Sequence, residues 1–136
     1  MVTLARAACG GDVTGSRVAV LGAAFKPDSD DIRDSPALAV AAALHDLGAL
    51  VTVTDPAALP NVERAVPGMG VEPDVLTAVR GADLVLLLTE WPEYVGLDPD
   101  VLGGHVARRH IIDARNALDP VRWRAARWTY RGIGRP

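Results

Sequence analysis

The segment Arg17-Val-Ala-Val-Leu21, followed by Gly22, predicts a strand that is buried on both faces. Four apolar residues in a row that end at a glycine are typical of the strands of a parallel sheet. Ser35-Pro36 then marks the start of a helix, because serine favours the N-cap and proline the first helical position. Apolar residues recur at helical spacing from there until Gly48, where the helix is expected to end.

The same alternation of strand and helix continues along the chain. Further strands are predicted at 50–54, 70–72, 84–88, 110–113 and 129–133, and further helices at 74–80, 98–103 and 120–126. Residues 57–68 are expected to be irregular or weakly helical. This pattern predicts an α/β fold, in which a mostly parallel sheet lies between two layers of helices. The loops that follow the strands then share one edge of the sheet, where parallel sheets bind their ligands.

The composition excludes several classes of protein. The chain has 136 residues, enough for one domain, and a net charge of −3, which argues against a nucleic-acid partner. Its apolar runs are far shorter than the roughly 18 residues that a bilayer span needs, so no membrane partner is expected. No signal peptide is recognised, and a cytoplasmic location is expected.

The reactive side chains form no catalytic or metal-binding set. Cys9 is the single cysteine, which excludes an internal disulfide and a cysteine-clustered zinc site. The histidines, His45, His105 and His110, have no partners at ligand spacing, so no metal is expected. No catalytic residue is therefore assigned within the chain.

The loop after the first strand, residues 22–34, holds the most unusual residues. Phe25 is the only phenylalanine, and Lys26 is the only lysine among 14 basic residues. Lys26 is either a solvated loop lysine or a compact ammonium that meets a phosphate or sugar oxygen. The loop has one glycine where a dinucleotide-binding fingerprint has three, and the chain contains no Gly-Lys-Ser/Thr motif. Neither kind of phosphate-binding loop is therefore predicted.

Residues of the neighbouring segments have two interpretations each. Arg33 stands among aspartates, either in a surface ion-pair cluster or as a guanidinium oriented by Asp31 or Asp34. Arg115 is either a capping arginine or a bidentate phosphate ligand. Trp91 is either an exposed aromatic that packs on a neighbour or one wall of a ligand or interface pocket, and packing at an interface is favoured.

Five short motifs occur in order along the chain. They are Val18-Ala-Val-Leu-Gly-Ala-Ala-Phe-Lys-Pro27, Asp30-Asp31-Ile-Arg-Asp-Ser-Pro36, Leu88-Thr-Glu-Trp91, Ile112-Asp-Ala-Arg-Asn116 and Tyr130-Arg-Gly-Ile-Gly-Arg135. Together they resemble the C-terminal domain of the UDP-glucose/GDP-mannose dehydrogenase family, over residues 17–136. Ala23 and Ala114 stand where leucine and glycine are common in that family.

The resemblance implies an enzyme that oxidises the C6 hydroxyl of a nucleotide sugar to a carboxylate in two NAD-dependent steps. It implies a three-layer α/β/α Rossmann-like sandwich with the core strand order 3-2-1-4-5. Residues 1–16 would end an inter-domain linker or helix, and residues 17–136 would form the UDP-sugar-binding domain. Phe25, Lys26 and Arg115 would contact the nucleotide sugar, and Arg33 would reach the NAD side.

The resemblance also implies partners outside this chain. Enzymes of the family have an N-terminal NAD-binding domain and a central dimerisation region, so NAD would be bound mainly by a domain absent here, and the full enzyme would be a homo-oligomer. The family nucleophile is a cysteine in a glycine-rich segment before this domain, and nothing around Cys9 resembles that segment. We therefore expect this chain alone to be inactive. The alternative is a stand-alone nucleotide-binding or regulatory module that performs no catalysis.

Overall fold

The computed structural model describes residues 1–133, in which strands and helices alternate after an initial helix. The helices are α1 (Val2–Ala8), α2 (Pro36–Asp46), α3 (Leu59–Ala65), α4 (Val75–Ala78), α5 (Pro92–Val95), α6 (Pro99–Gly103) and α7 (Pro120–Ala125). The strands are β1 (Arg17–Leu21), β2 (Leu50–Thr54), β3 (Gly70–Val71), β4 (Leu84–Leu87), β5 (His110–Asp113) and β6 (Thr129–Gly132). Ser35 caps α2 as predicted, because its side chain accepts a hydrogen bond from the backbone N–H of Leu38.

The strands form a parallel sheet with the order β3-β2-β1-β4-β5-β6. This confirms the α/β fold and the core order that the resemblance implies, and it adds β6 at one edge. The chain proceeds outward from β1 to β3 and then returns to the other side of β1 with β4. Strand order therefore reverses between β1 and β4, and the carboxyl ends of these two strands frame the crevice where such sheets bind ligands.

Two apolar cores cover the two faces of the sheet, because alternate residues of a strand point to opposite faces. Val18 and Val20 of β1 pack with residues of α1, α2 and α3. Ala19 and Leu21 pack on the other face with residues of α4, α5, α6 and α7. Since helices cover both faces, the central strands are apolar along almost their whole length, as the sequence predicts.

Most predicted elements are found at their predicted positions. Helix α3 is regular where the sequence predicts irregular or weakly helical chain, because Leu59 and Val62 are buried in the first core. Helix α5 was not predicted, since it is one turn long and follows directly from a loop. Helix α1 lies within residues 1–16, the segment expected to end a linker or helix, and its Ala5 is fully buried. No helix in the described part of the chain combines the length and the apolar character that crossing a bilayer requires.

Gly22 ends β1 and allows the chain to pass very close to Thr89, the second residue after β4. Its φ is +95°, and a Cβ at this position would lie 2.4 Å from the Cβ of Thr89. The backbone N–H of Gly22 also donates to the carbonyl oxygen of Thr54, at 2.8 Å. The path of the chain out of β1 therefore requires glycine here.

We expect Gly22→Ala to lower the free energy of unfolding by about 2–5 kcal/mol, because it adds a steric clash to backbone strain. Gly11→Ala is the matched control: Gly11 has a φ of +99°, but nothing lies within 4 Å of a Cβ there. Only strain remains in the control, at about 1–2 kcal/mol. Urea denaturation, monitored by circular dichroism, measures the free energy of unfolding of both variants. An equal loss of this free energy in the two variants would contradict the close approach of Gly22 to Thr89.

Candidate functional site

The base of the loop after β1 is fixed by side chains from three other segments. Ala23 and Ala24 are both buried. Ser35 Oγ donates to the carbonyl oxygen of Ala23 at 2.7 Å, and Thr89 Oγ1 donates to that of Ala24 at 2.8 Å. Asp55 Oδ2 accepts from the backbone N–H groups of the two alanines at 2.8 and 3.1 Å. All four backbone polar groups of this dipeptide are thereby hydrogen-bonded, which holds the loop in one conformation.

Asp55, the residue after β2, is the centre of this arrangement. It is only 3% exposed, and its second oxygen, Oδ1, accepts from the backbone N–H groups of Ala57 and Ala58 at 2.9 and 2.8 Å. Hydrogen bonds from N–H groups to a carboxylate are stronger than those between neutral groups. One buried side chain therefore joins the end of β2, the start of α3 and the loop after β1.

The hydrogen bonds between Asp55 and the backbone of Ala23 and Ala24 make the loop after β1 a poor fit for the pyrophosphate of NAD. In dinucleotide-binding sheets, backbone N–H groups after the first strand bind the pyrophosphate, and an acidic residue further along binds a ribose hydroxyl. Here the acidic residue, Asp55, occupies the N–H groups of Ala23 and Ala24 itself. The loop consequently offers side chains rather than backbone donors to an incoming phosphate, which agrees with its missing glycines.

Phe25 and Lys26 follow this fixed base directly. The backbone N–H of Phe25 donates to the carbonyl oxygen of Asp31 at 2.8 Å and closes the loop on itself. The Phe25 ring is 50% exposed and, together with Arg33 and Asp34, lines a recess of about 340 Å³. Lys26 is exposed at the next position. An exposed ring and an exposed ammonium next to the fixed base of the loop are suited to give a ligand one apolar and one cationic contact.

Asp31, and not Asp34, orients the guanidinium of Arg33. Nε and Nη2 of Arg33 donate to Oδ1 and Oδ2 of Asp31, both at 3.0 Å. These side-chain hydrogen bonds, together with one from the backbone N–H of Arg33, lower the pKa of the Asp31 carboxyl to about 2. The side chain of Arg33 nevertheless remains 88% exposed. It is therefore oriented and still accessible to a partner.

Arg115 lies on the loop after β5 and pairs with Glu90 on the loop after β4, a contact that the sequence did not predict. Arg115 Nε donates to Oε2 of Glu90, and Nη2 donates to Oε1 at 3.3 Å. The hydrogen bonding to Glu90 raises the pKa of Arg115 above its usual value. Arg115 also borders a small, largely apolar recess of about 160 Å³, which Ala37 and Leu88 help to line.

Two side chains fix the backbone on either side of Arg115. Asp113 is fully buried and accepts from the backbone N–H of Arg115 at 3.1 Å and from the hydroxyl of Tyr130 at 2.8 Å. Asn116 donates through Nδ2 to the carbonyl oxygen of Ile133 and accepts its N–H through Oδ1, both at 2.9 Å. The loop after β5 is thus anchored to β6 and to the residue that directly follows β6.

The expectation that Trp91 is an exposed or interface aromatic is wrong. Trp91 is 6% exposed and packs within the second core, and its buried Nε1–H has no hydrogen-bond partner among residues 1–133. Tyr94 packs in the same core. Burial raises the pKa of Tyr94, and the nearby Asp55 carboxylate raises it further. These two aromatic residues therefore support the site from behind instead of lining its surface.

No role was assigned from the sequence to four residues that build this site: Asp55, Thr89, Glu90 and Asp113. Their common signal is a polar side chain at the carboxyl end of a strand, where the loops of a parallel sheet converge. Of the fifth motif, residues 134 and 135 lie outside the described part of the chain. Within residues 1–133, no group of three His, Cys, Asp or Glu side chains could hold a metal ion.

The ion pair between Asp31 and Arg33 gives a pH-dependent prediction. We expect Arg33→Gln to raise the pKa of Asp31 from about 2 toward its ordinary value of 3.8, with ¹³C NMR of the carboxyl as the measurement. A carboxyl whose pKa is lower in the folded chain than in the unfolded chain stabilises the fold at pH values above the unfolded-state pKa. The small contribution of this exposed pair to stability is therefore present above pH 3.8 and is lost as the pH falls toward 2. An unchanged titration in Arg33→Gln would contradict the pairing.

The sequence matches proteins of known activity over most of its length. The profile of the UDP-glucose/GDP-mannose dehydrogenase family, UDP binding domain, matches residues 19–120. The chain is 42% identical over 130 residues to a UDP-glucose 6-dehydrogenase of Rhizobium meliloti (strain 1021), a match that covers 96% of this chain and 30% of the relative. It is 39% identical over 128 residues to UDP-glucose 6-dehydrogenase TuaD of Bacillus subtilis (strain 168), covering 93% of this chain and 28% of that protein.

The fold is similar to parts of solved dehydrogenase structures. An NDP-N-acetyl-D-galactosaminuronic acid dehydrogenase from Methanosarcina mazei Go1 superposes with a TM-score of 0.82 at 33% identity, over 98% of this chain and 28% of that one. The chain thus spans less than a third of the length of the relatives that it matches. The family profile and the identities show that this chain belongs to the UDP-glucose/GDP-mannose dehydrogenase family, in which it corresponds to the UDP binding domain.

Proposed function

We propose that this chain is the nucleotide-sugar-binding domain of an NAD-dependent nucleotide-sugar 6-dehydrogenase, which oxidises the C6 hydroxyl of its substrate to a carboxylate. One observation carries the proposal. The loop with Lys26 and the loop with Arg115 follow strands on the two sides of the β1–β4 crevice and offer an ammonium and a guanidinium at the same edge. A diphosphate is the part of a nucleotide sugar that such cations bind.

In this proposal, Phe25, Lys26 and Arg115 contact the substrate. Ala23 and Ala24, which precede Phe25 and Lys26, are held by the buried contacts of Asp55, Ser35 and Thr89. The backbone of Arg115 is held by Asp113. A fixed loop base and a fixed backbone at Arg115 reduce the conformational entropy that binding would otherwise cost.

For NAD, we propose that a domain outside this chain provides most of the binding and that Arg33 contacts the cofactor side of the cleft. The occupied N–H groups of Ala23 and Ala24 support this division, because they leave no backbone cradle for a pyrophosphate. Arg33 also borders a second, open recess of about 630 Å³, which Asn61 and Arg64 of α3 help to line. An exposed arginine on the rim of an open recess is suited to contact a neighbouring domain or its ligand.

We also propose the partners that the family resemblance implies: an N-terminal NAD-binding domain, a central dimerisation region and a homo-oligomeric complete enzyme in the cytoplasm, without a nucleic-acid or membrane partner. The lengths of the relatives support further domains, since this chain covers 30% and 28% of the two curated dehydrogenases. The active site would then lie between this domain and the others.

We expect the 136-residue chain to bind UDP with a dissociation constant of roughly 1 mM, about −4 kcal/mol, because half of a cleft supplies few contacts. Lys26→Ala should weaken binding about fivefold or more through loss of a charge-assisted hydrogen bond. Lys26→Arg should cost nearly as much, because a longer planar guanidinium replaces a compact ammonium. NMR titration with UDP measures all three proteins.

Arg80→Gln is the matched control for this titration, because it removes an exposed cation at the opposite edge of the sheet. It should bind UDP as the unsubstituted chain does. Equal binding by Lys26→Ala and the unsubstituted chain would return Lys26 to the status of a solvated loop lysine. Submicromolar binding by the chain alone would favour the stand-alone module over half of an enzyme cleft.

We expect no dehydrogenase activity from this chain alone, because it lacks a dinucleotide cradle and a nucleophile segment. Incubation with NAD and UDP-glucose should produce no absorbance of reduced nicotinamide. Turnover that disappears in Cys9→Ser would contradict the proposal and place a complete catalytic site within these 136 residues.

A further inference from the structure

The two arginines at the ligand edge are held by carboxylates in the same way. Asp31 binds Arg33 through Nε and Nη2. Glu90 binds Arg115 through the same two nitrogens. In both pairs, the carboxylate lies against the side edge of the guanidinium, the edge formed by Nε and one terminal nitrogen.

This geometry leaves the end edge of each guanidinium, the edge between its two terminal nitrogens, available. A guanidinium has five N–H donors, and a bidentate contact along the side edge uses two of them. The end edge, formed by Nη1 and the second hydrogen of Nη2, can still bind an oxyanion through two parallel hydrogen bonds. Among residues 1–133, Nη1 of Arg115 has no hydrogen-bond acceptor. Arg115 and Glu90 are 40% and 30% exposed, so a ligand can reach the pair.

Both ends of the Glu90–Arg115 pair rest on fixed backbone. Glu90 lies between Thr89, which is 1% exposed and bonded to the loop after β1, and the buried Trp91. Arg115 is held through its backbone N–H by the buried Asp113. The strands that carry the two loops, β4 and β5, are paired neighbours in the sheet. The backbone positions of Glu90 and Arg115 are therefore set by the core and not by the ligand.

We propose that Glu90 is a positioning residue for Arg115: it holds the side edge of the guanidinium so that the end edge faces a phosphate of the bound nucleotide. This inference rests on the proposed function, because it requires Arg115 to bind that phosphate. An arginine held in place loses little rotamer entropy when the ligand arrives, whereas a free one must be immobilised. Glu90 itself does not touch the substrate.

Glu90 would have the opposite effect on ligand affinity if it competed with the phosphate for Arg115. If Glu90 occupied the donors that the phosphate needs, the carboxylate would compete with the ligand, and its removal would tighten binding. The sign of the change in affinity on removing the carboxylate therefore distinguishes a positioning residue from a competitor. The side-edge contact predicts weaker binding after removal.

The test is an NMR titration of this chain with UDP, for the unsubstituted protein, Glu90→Gln, Arg115→Gln and the double variant. We expect Glu90→Gln to weaken UDP binding about three- to tenfold, the cost of immobilising one long side chain. Its effect should vanish in the Arg115→Gln background, because a positioning residue acts only through the residue that it holds. We expect the Arg115 Nε–H signal to be sharp in the unsubstituted protein and to broaden or shift in Glu90→Gln before UDP is added.

Glu93→Gln is the matched control. Glu93 is exposed on α5, three residues from Glu90, and makes no ion pair within the described residues. It removes the same charge from the same region and should leave UDP binding unchanged or slightly tighter. Amide spectra of each variant confirm that the fold is retained.

The outcomes separate this inference from the function on which it rests. If the unsubstituted chain does not bind UDP, or if Arg115→Gln binds UDP equally well, the proposed role of Arg115 fails and the inference fails with it. If Arg115→Gln weakens binding while Glu90→Gln is neutral or tighter, the substrate role of Arg115 stands and only the inference is overturned. The same holds if Glu90→Gln weakens binding equally with and without Arg115.

Discussion

The buried carboxylate of Asp55 holds the ligand edge of this domain together. It accepts four backbone N–H groups, two from the loop after β1 and two at the start of α3. A substitution that removed it would leave several buried donors without partners, each at a cost of about 1–3 kcal/mol. Ser35 and Thr89 bind the carbonyl groups of the same two alanines. The loop that carries Phe25 and Lys26 is thus part of the core at its base and free only at its tip.

The contact of Asp55 with Ala23 and Ala24 also determines which groups at this edge are free to bind a phosphate. A sheet with this topology commonly binds phosphate through backbone N–H groups after its first strand. In this chain Asp55 occupies those groups, and in the proposed function the side chains of Lys26, Arg33 and Arg115 contact the ligands instead. Two of these cations are themselves held by carboxylates. Side chains on opposite sides of an open crevice can bind one face of a ligand, which is consistent with a domain that completes its site against another.

The sequence predicts the fold well because the central strands β1 and β4 are short apolar runs and because glycine, proline and N-cap residues mark the ends of most elements. It also brings Lys26, Arg33 and Arg115 to one edge, through the parallel topology alone. It could not predict the contacts between loops: Asp55 and Ala23 are 32 residues apart, and only the folded sheet brings them within hydrogen-bond distance. Trp91 was misjudged for a related reason. A tryptophan in a loop resembles a surface residue until α5 folds the loop back onto the second core.

The most direct measurement is a crystal structure of this chain with UDP. We expect the diphosphate at the carboxyl edge of β1 and β4, with oxygens about 3 Å from Nζ of Lys26 and from the end edge of Arg115. Ala23 and Ala24 should still donate to Asp55, as in the ligand-free chain. A diphosphate bound to the N–H groups of these alanines with Asp55 displaced, or bound at the opposite edge beside Arg17 and Arg80, would contradict this assignment of the site.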